Sequence, residues 1–217
     1  RCSEVIFDAP YDKNLQYNSV PIRQGTRLAG GYSELVPSQS FVDEYECTDG
    51  NTIDESPLYD PANPFENRDP RLDATVIHDG SMFAGYIYYS HPDSTKTWLL
   101  ENGSKTRVSN EDSQTINPYA SFTGYCFRKY LNTADFPSRR SGINFIYMRY
   151  AEVLLIYAEA KIENEDIDQS VLDAINKVRA RAYGVNPSQT DQYPIISTTD
   201  QTELREIIRR EREIELA

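Results

Sequence analysis

The sequence predicts a mainly α-helical fold in which a helical scaffold follows a long, loop-rich region with short β-strands. Three helical patterns fill the last third of the chain, whereas turn-forming glycine and proline residues are dense between about 11 and 141. We therefore expect a loop-rich region at 1–146, with one short helix and a few strands, and a helical scaffold at 147–217.

The first helical pattern runs from Tyr147 to Asn164. Its apolar residues recur at three- and four-residue steps and so share one helix face: Ala151, Leu154, Leu155, Ala158 and Ile162. Val153 and Ile156 add apolar surface on the other flanks, and small alanines would let a neighbouring backbone approach. The pattern therefore predicts a helix that is packed on more than one side.

The second and third helical patterns have recognisable ends. The second begins at Asp168, a good N-cap, and stops at Gly184, which suits the left-handed position after a helix. The third begins at Asp200, whose spacing to Glu203 is that of a capping box. Its apolar stripe is Leu204, Ile207, Ile208 and Ile214. The remaining faces of the third helix are almost wholly charged, and we interpret them as solvated surface rather than a binding patch.

Short elements are predicted between the turns of the loop-rich region. Ser38–Tyr45 has the pattern of a short helix with Ser38 as its N-cap. Ala74–Ile77 and Tyr86–Tyr89 are short and β-prone, and so predict strands. In the segment NRDPRL, Arg68 and Arg71 flank Asp69, which predicts a rigid charged turn with a structural role.

Composition limits the kinds of partner. Of 217 residues, 39% are hydrophobic and 26% are charged, which is typical of a globular chain, and there is no long apolar run that would span a membrane. The net charge of −12 disfavours nucleic acids and anionic membrane surfaces and makes a neutral or cationic ligand easier to bind. We interpret it first as ordinary solubility charge and only second as a means of steering a ligand. The cysteines Cys2, Cys47 and Cys126 lack metal-ligand spacing, and their odd number leaves at least one unpaired.

No enzyme motif is present, so we expect no catalytic residue, no metal and no cofactor. The sequence has no phosphate-binding glycine loop, nucleophile elbow or zinc-binding histidine pair, and His78 and His91 are interpreted as ordinary loop histidines. One acidic group is interpreted as solvated loop charge rather than a calcium site: Asp54, Glu55, Asp60, Glu66 and Asp69. A glycosidase remains an alternative, because its chemistry needs only two carboxyl groups at the right separation.

Aromatic residues are the best candidates for binding. Sugar rings have apolar C–H faces and a rim of hydroxyls, so a sugar site needs exposed flat rings beside hydrogen-bonding groups. One turn-rich segment offers both, and its candidate ligand-binding residues are Trp98, Tyr86, Tyr88, Tyr89 and Asn102. Strand alternation would place Tyr86 and Tyr88 on one face and Tyr89 on the other, so core packing is the alternative for one face.

Ordered blocks along the chain resemble the C-terminal part of the SusD/RagB family. Three of these blocks lie in the helical patterns: RYAEVLLIYAEA at Arg149–Ala160, INKVRARA at Ile175–Ala182 and LREIIRREREIELA at Leu204–Ala217. Three more precede them in the same order as in the family: Glu4–Asp12, Leu35–Gly50 and NRDPRL at Asn67–Leu72. The N-terminal half of the family pattern has no counterpart here, so we expect 1–217 to be the C-terminal part of one SusD-like domain.

The resemblance implies a fold of tetratricopeptide-like helix pairs decorated by long loops. It also implies a lipoprotein on the extracellular face of the outer membrane of Bacteroidetes-type bacteria, held there only through an N-terminal lipid anchor that this chain lacks. Such a protein captures oligosaccharides without cleaving them and delivers them to a SusC-like TonB-dependent transporter. The alternatives are a peptide cargo within the same family, a glycan-cleaving enzyme and a helical-repeat scaffold that binds no small ligand.

Overall fold

A computed structural model describes residues 3–217 and shows a mixture of helices and strands. The elements in chain order are β1 (Val5–Ala9), α1 (Val20–Gln24), α2 (Gln39–Asp43), α3 (Arg71–Thr75), β2 (Val76–Ile77), β3 (Met82–Phe83), β4 (Tyr86–Ile87), β5 (Lys96–Glu101), β6 (Ser104–Ser109), β7 (Cys126–Phe127), a 3₁₀ turn (Thr133–Asp135), β8 (Phe145–Arg149), α4 (Tyr150–Glu163), α5 (Gln169–Ala182) and α6 (Gln201–Leu216). Helices cover only 29% of the chain. The expectation of a mainly α-helical fold is therefore met only in part, because the loop-rich region contributes many short strands.

The chain forms two compact units. The first contains 3–8, 43–72 and 146–217, and the second contains 9–42 and 73–145. The helical scaffold expected at 147–217 lies in the first unit. That unit also includes two earlier segments, which no local sequence pattern indicates.

Helices α4, α5 and α6 form the core of the first unit. Their fully or largely buried residues are Ala151, Leu155, Ala158, Ile162, Val171, Leu172, Ala174, Ile175, Val178, Leu204 and Ile208. The predicted caps are confirmed, since Asp168 accepts from the N–H of Ser170 and Asp200 accepts from the N–H of Glu203, each at 2.9 Å. Gly184 ends α5 with φ of 71°, a left-handed conformation that glycine adopts readily.

Helix α4 differs from its prediction at its start and on its outer flank. It begins at Tyr150, because Phe145–Arg149 forms β8 and pairs with β1. The predicted core face is buried, but Val153 and Ile156 on the outer flank are 40% and 46% exposed. Helix α4 packs against both α5 and α6, so the prediction of packing on more than one side is met in part, whereas its outer flank is exposed within residues 3–217.

The charged faces of α6 are also not uniformly solvated. Glu211 and Glu215, one helical turn apart, are 1% and 3% exposed. Both carboxylates accept from the buried guanidinium of Arg71, at 2.6 Å and 3.1 Å. The interpretation of these faces as solvated surface was wrong for this turn, because segment 43–72 covers it.

The second unit contains a four-stranded antiparallel sheet in the order β3-β4-β5-β6. A small core lies beside it, made of Ile22, Ile77, Phe83, Tyr88, Cys126 and Phe136. Strand β2 forms as predicted at Val76–Ile77, whereas Ala74 belongs to α3. The predicted strand at Tyr86 ends at Ile87, before Tyr88 and Tyr89.

The remaining local predictions concern a short helix and the cysteines. Ser38 accepts from the N–H of Phe41 at 3.1 Å and caps α2 as predicted. Cys47 and Cys126 are buried and free. Cys2 lies outside the described residues, so the expectation about cysteine pairing stays a prediction.

Candidate functional site

The β5–β6 hairpin positions Trp98. The two strands are joined by Asn102 and Gly103, whose φ angles of 50° and 76° are both positive, as a two-residue type I′ turn requires. In the resulting register Trp98 lies opposite Arg107. The buried side chain of Thr97 donates to the carbonyl oxygen of Ile87, which ties the hairpin to β4.

The ring of Trp98 lies beside two cations. Lys105 Nζ is 4.5 Å from the ring centroid, and Arg107 Cζ is 5.1 Å from it. Both basic side chains are exposed, and Trp98 itself is partly exposed. The π-face of an indole attracts a cation, so these contacts hold the positive charges next to the ring.

A smaller cleft of about 310 Å³ opens beside Trp98, and its lining residues are Tyr89, Asp93, Ser94, Thr95, Lys96, Trp98 and Arg107. Its far wall is the loop 89–95. The fully buried amide of Asn110 holds this loop by donating to the carbonyl oxygens of Tyr89 at 2.8 Å and Ser94 at 2.6 Å. The hydroxyl of Ser113, also fully buried, donates to the carbonyl oxygen of Pro92 at 3.0 Å. The loop is therefore held in a fixed position relative to the hairpin.

A larger cleft of about 750 Å³ lies elsewhere in the second unit. Its lining residues are Leu28, Ala29, Gly30, Ala84, Gly85, Tyr86, Thr133, Ala134, Phe136, Pro137 and Arg139. This volume is in the range of known small-molecule sites. Tyr86 and Phe136 give the cleft two aromatic rings, and Arg139 gives it a positive charge, so it offers both flat apolar surface and a hydrogen-bond donor.

Two polar groups hold the walls of the larger cleft. Arg139 donates to the Tyr32 hydroxyl at 3.0 Å, and its guanidinium lies 5.6 Å from the centroid of that ring. Asp112 accepts from the backbone N–H of Arg27 at 2.7 Å and that of Leu28 at 3.3 Å. Burial raises the pKa of Asp112 to about 6, although these two N–H groups favour the charged form.

The five residues predicted from sequence lie in four different places. Trp98 and Tyr89 line the smaller cleft, and Tyr86 lines the larger one. Tyr88 is only 2% exposed and belongs to the core, where its hydroxyl lies 3.9 Å from Cys126 Sγ. Asn102 lies at the exposed hairpin tip and forms the turn. We therefore keep Trp98, Tyr89 and Tyr86 as candidate ligand contacts.

Sequence reasoning missed the residues that surround Trp98. Lys105, Arg107 and Asn110 come next to the ring or the loop only through strand pairing and a long-range hydrogen bond. One local signal was available, because Asn102-Gly103 between β-prone runs is a strong hairpin indicator. A hairpin inferred from it would have placed Arg107 opposite Trp98.

The charged residues of segment 67–72, which we interpreted as structural, form hydrogen bonds within the protein. Arg71 binds Asp69 through two nitrogens, at 3.0 Å and 2.7 Å, and Arg68 donates to the carbonyl oxygens of Tyr45 and Pro64. Asp69 is 1% exposed, so it is buried and not part of a solvated acidic loop. The ring of His78 is hydrogen-bonded to Asp73 at 2.6 Å.

Residues 3–217 show neither a metal-binding cluster nor a membrane-spanning helix. They contain no group of three or more histidine, cysteine, aspartate or glutamate side chains that could hold a metal ion. Over the same residues, every helix is too short or too polar to cross a lipid bilayer.

The protein thus belongs to a class that combines a helical unit with a second unit of loops and a hairpin. Aromatic rings line part of both clefts in the second unit. The SusD family model matches residues 3–217, so the chain belongs to the SusD family. SusD-like protein P2 of Formosa agariphila is 35% identical to it over 113 residues, which cover 47% of this chain and 22% of that protein.

Solved structures agree with the family assignment. A SusD-like carbohydrate binding protein from Bacteroides fragilis is 32% identical, with a TM-score of 0.76 over 99% of this chain and 39% of that one. A second SusD-like protein from the same species is 26% identical, with a TM-score of 0.66 over 99% of this chain and 40% of that one. The chain thus spans about two fifths of the length of these structures and less of the curated relative. The fold is SusD-like.

Proposed function

We propose that the protein captures oligosaccharides at the cell surface, without cleaving them, and delivers them to a TonB-dependent outer-membrane transporter of the SusC type. The observation that carries this proposal is the partly exposed Trp98 ring in a cleft whose other walls are mostly polar, in a chain of the SusD family. A relative described as carbohydrate binding has the same fold and supports the proposed ligand class.

The clefts suit transient binding. A sugar ring would stack on Trp98 or Tyr86, and its hydroxyls would meet the side chains of Ser94 and Thr95 or the guanidinium of Arg139. Few contacts of this kind give modest affinity, because association also costs translational and rotational freedom. Modest affinity allows release to a transporter. We further propose that the mature protein is a lipoprotein on the extracellular face of the outer membrane.

A glycan array, followed by calorimetry of each bound glycan, tests the capture function. We expect binding to one class of oligosaccharide and a loss on the order of tenfold with Trp98→Ala or Tyr86→Ala, whichever ring the ligand uses. Tyr119→Ala is a matched control, because this exposed tyrosine does not line either cleft.

Two further measurements separate the alternatives. Chromatography of a labelled bound oligosaccharide after long incubation should show it intact, and product formation would instead establish an enzyme. A peptide library should give no binding, and selective peptide binding without glycan binding would establish the other cargo class. Co-purification of the transporter with the tagged protein from outer membranes tests the partner, and its consistent absence would overturn that part of the proposal.

A further inference from the structure

The β5–β6 hairpin carries a cluster of positive charge in a protein whose net charge is −12. Lys96 and Trp98 are two residues apart on β5, and Arg107 and Lys105 lie on β6 opposite Trp98 and Leu100. Because side chains alternate along a strand and paired residues share a face, all three cations lie on the Trp98 face.

The described residues 3–217 provide no carboxylate partner for these cations. Within residues 3–217, neither Lys96, Lys105 nor Arg107 forms an ion pair with a carboxylate. Other arginines at the surface do so, as in exposed Arg23 with Glu34 at 2.8 Å and partly exposed Arg205 with Glu163 at 2.7 Å. The hairpin therefore gathers like charges that repel one another and leaves them open to solvent.

Among the residues that line the cleft, one carboxylate opposes these cations. Asp93 lines the same cleft, but its side chain is 94% exposed and lies 3.8 Å from the His91 ring. Lys96 and Arg107 line the cleft with this one carboxylate, and Lys105 adds a third positive charge 4.5 Å from the Trp98 ring centroid. Glu101 is on the same hairpin but on the opposite face, because it is an odd number of residues from Trp98.

We propose that the cleft beside Trp98 binds an anionic sugar, with the pyranose ring against the indole and its carboxylate or sulfate group on Lys105 and Arg107. This inference rests on the proposed capture function and adds the charge class of the cargo. It reverses the expectation that net charge favours neutral or cationic ligands. Salt screens charges beyond about 8 Å at physiological ionic strength, so a ligand in this cleft experiences the local cations rather than the acidity of the whole chain.

The remaining walls of the cleft fit the neutral part of such a ligand. Ser94 and Thr95 supply hydroxyls, and Tyr89 supplies a second ring. The wall they form is held by Asn110, so the distance between the backbone of this loop and the hairpin is set before the ligand arrives. A preformed site of this kind loses little conformational freedom on binding.

A pair of ligands that differ only in charge provides the test. Oligogalacturonate and its methyl ester have the same rings, and a sulfated galactan oligosaccharide with its desulfated form distinguishes sulfate from carboxylate. Trp98 is the only tryptophan of the chain, so its fluorescence reports on this cleft directly. We expect at least one acidic form to bind on the order of tenfold tighter than its neutral partner, and the difference to shrink at high sodium chloride.

Charge-removing variants locate the site. Replacing Lys105 and Arg107 together, as Lys105→Gln with Arg107→Gln, should remove the preference for the acidic form over its neutral partner, a loss on the order of tenfold in relative affinity. Two matched controls also remove a cation from an aromatic ring. Lys177 Nζ is 5.0 Å from the centroid of the Tyr150 ring, and Arg140 Cζ is 5.1 Å from that of the Tyr17 ring. Neither Lys177→Gln nor Arg140→Gln should change affinity for the ligand.

The outcomes separate this inference from the proposed function. Equal binding of acidic and neutral forms would overturn the anionic cargo and leave oligosaccharide capture standing. Acidic binding that survives the double variant would overturn the placement on the hairpin. A protein that binds no glycan of either kind, with a normal unfolding transition, would overturn both proposals together.

Discussion

Arg179 of α5 donates to Glu211 of α6 at 2.9 Å, and each of these side chains is only 1% exposed. Arg179 also binds Glu46 at 2.5 Å, and Arg71 binds Glu211 at 2.6 Å. Although burial disfavours a charged guanidinium, Glu211 and Asp69 raise the pKa of Arg71 above its ordinary value. A buried network of alternating charges therefore joins the helices to segment 43–72 within the first unit.

The network predicts that Glu211→Ala destabilises the first unit strongly. Removing this carboxylate leaves Arg71 and Arg179 buried beside too few negative charges, and we expect a loss of about 3–5 kcal/mol in the free energy of unfolding. Urea denaturation measures it. Glu206→Ala is the control on the same helix, where an exposed pair with Arg209 at 3.3 Å contributes below about 1 kcal/mol.

Two results would contradict this account of the network. One is an equal effect of Glu211→Ala and Glu206→Ala. The other is a milder variant, Glu211→Gln, that matches the stability of the original protein.

The pKa of Asp112 predicts a pH dependence of stability in the second unit. Burial raises it from 3.8 to about 6 in the folded state, so the folded protein binds the proton more tightly than the unfolded chain. Tighter proton binding by Asp112 therefore adds to the free energy of unfolding below pH 4, and this contribution is lost as the pH rises through 6. The shift of about two units corresponds to at most about 3 kcal/mol.

Asp112→Asn removes this titration and keeps an oxygen that accepts from Arg27. We expect the stability of the variant relative to the original protein to increase between pH 4 and 6 and then to level off, as measured by thermal unfolding across that range. Asp93→Asn is the control, because it removes a carboxylate that is exposed. A relative stability of Asp112→Asn that stays flat from pH 4 to 7 would contradict the assignment.

The turn between β3 and β4 contains a strained residue. Ala84 has φ of 50°, a left-handed conformation that costs an L-residue about 1–2 kcal/mol. Ala84→Gly should therefore increase the free energy of unfolding by about 0.5–1 kcal/mol, after the greater entropy of glycine in the unfolded chain is included. Ala29→Gly is the control beside the same cleft, at a residue outside the left-handed region, and should destabilise. A loss of stability in both variants would refute the strain argument.

Asn102 can be tested as a turn residue and as a ligand contact at once. Its φ of 50° suits asparagine or glycine, so Asn102→Ala should lower the free energy of unfolding by about 1 kcal/mol, whereas Asn102→Gly should leave it nearly unchanged. Thermal unfolding and glycan affinity are measured on both variants. Reduced affinity in a stable Asn102→Gly protein would show that the amide contacts the ligand.

Local sequence signals were sufficient for the elements whose boundaries are set by neighbouring residues. The caps at Asp168 and Asp200 and the end at Gly184 depend on hydrogen bonds or dihedral angles within a few residues, and the structure confirms them. The buried face of α4 was equally predictable, because a helix with one apolar stripe buries it against whatever partner is available.

The sequence by itself determined the family, the three long helices and the aromatic segment that contains the candidate site. Tertiary structure alone decided which rings are accessible, since Tyr88 enters the core while Tyr89 and Trp98 share a cleft. It also decided that Glu211 is buried and that Lys105 and Arg107 lie beside Trp98. The burial of a side chain and the distance between two charges depend on contacts between segments that are far apart in the chain. The pattern within one segment does not indicate which distant residues will cover it.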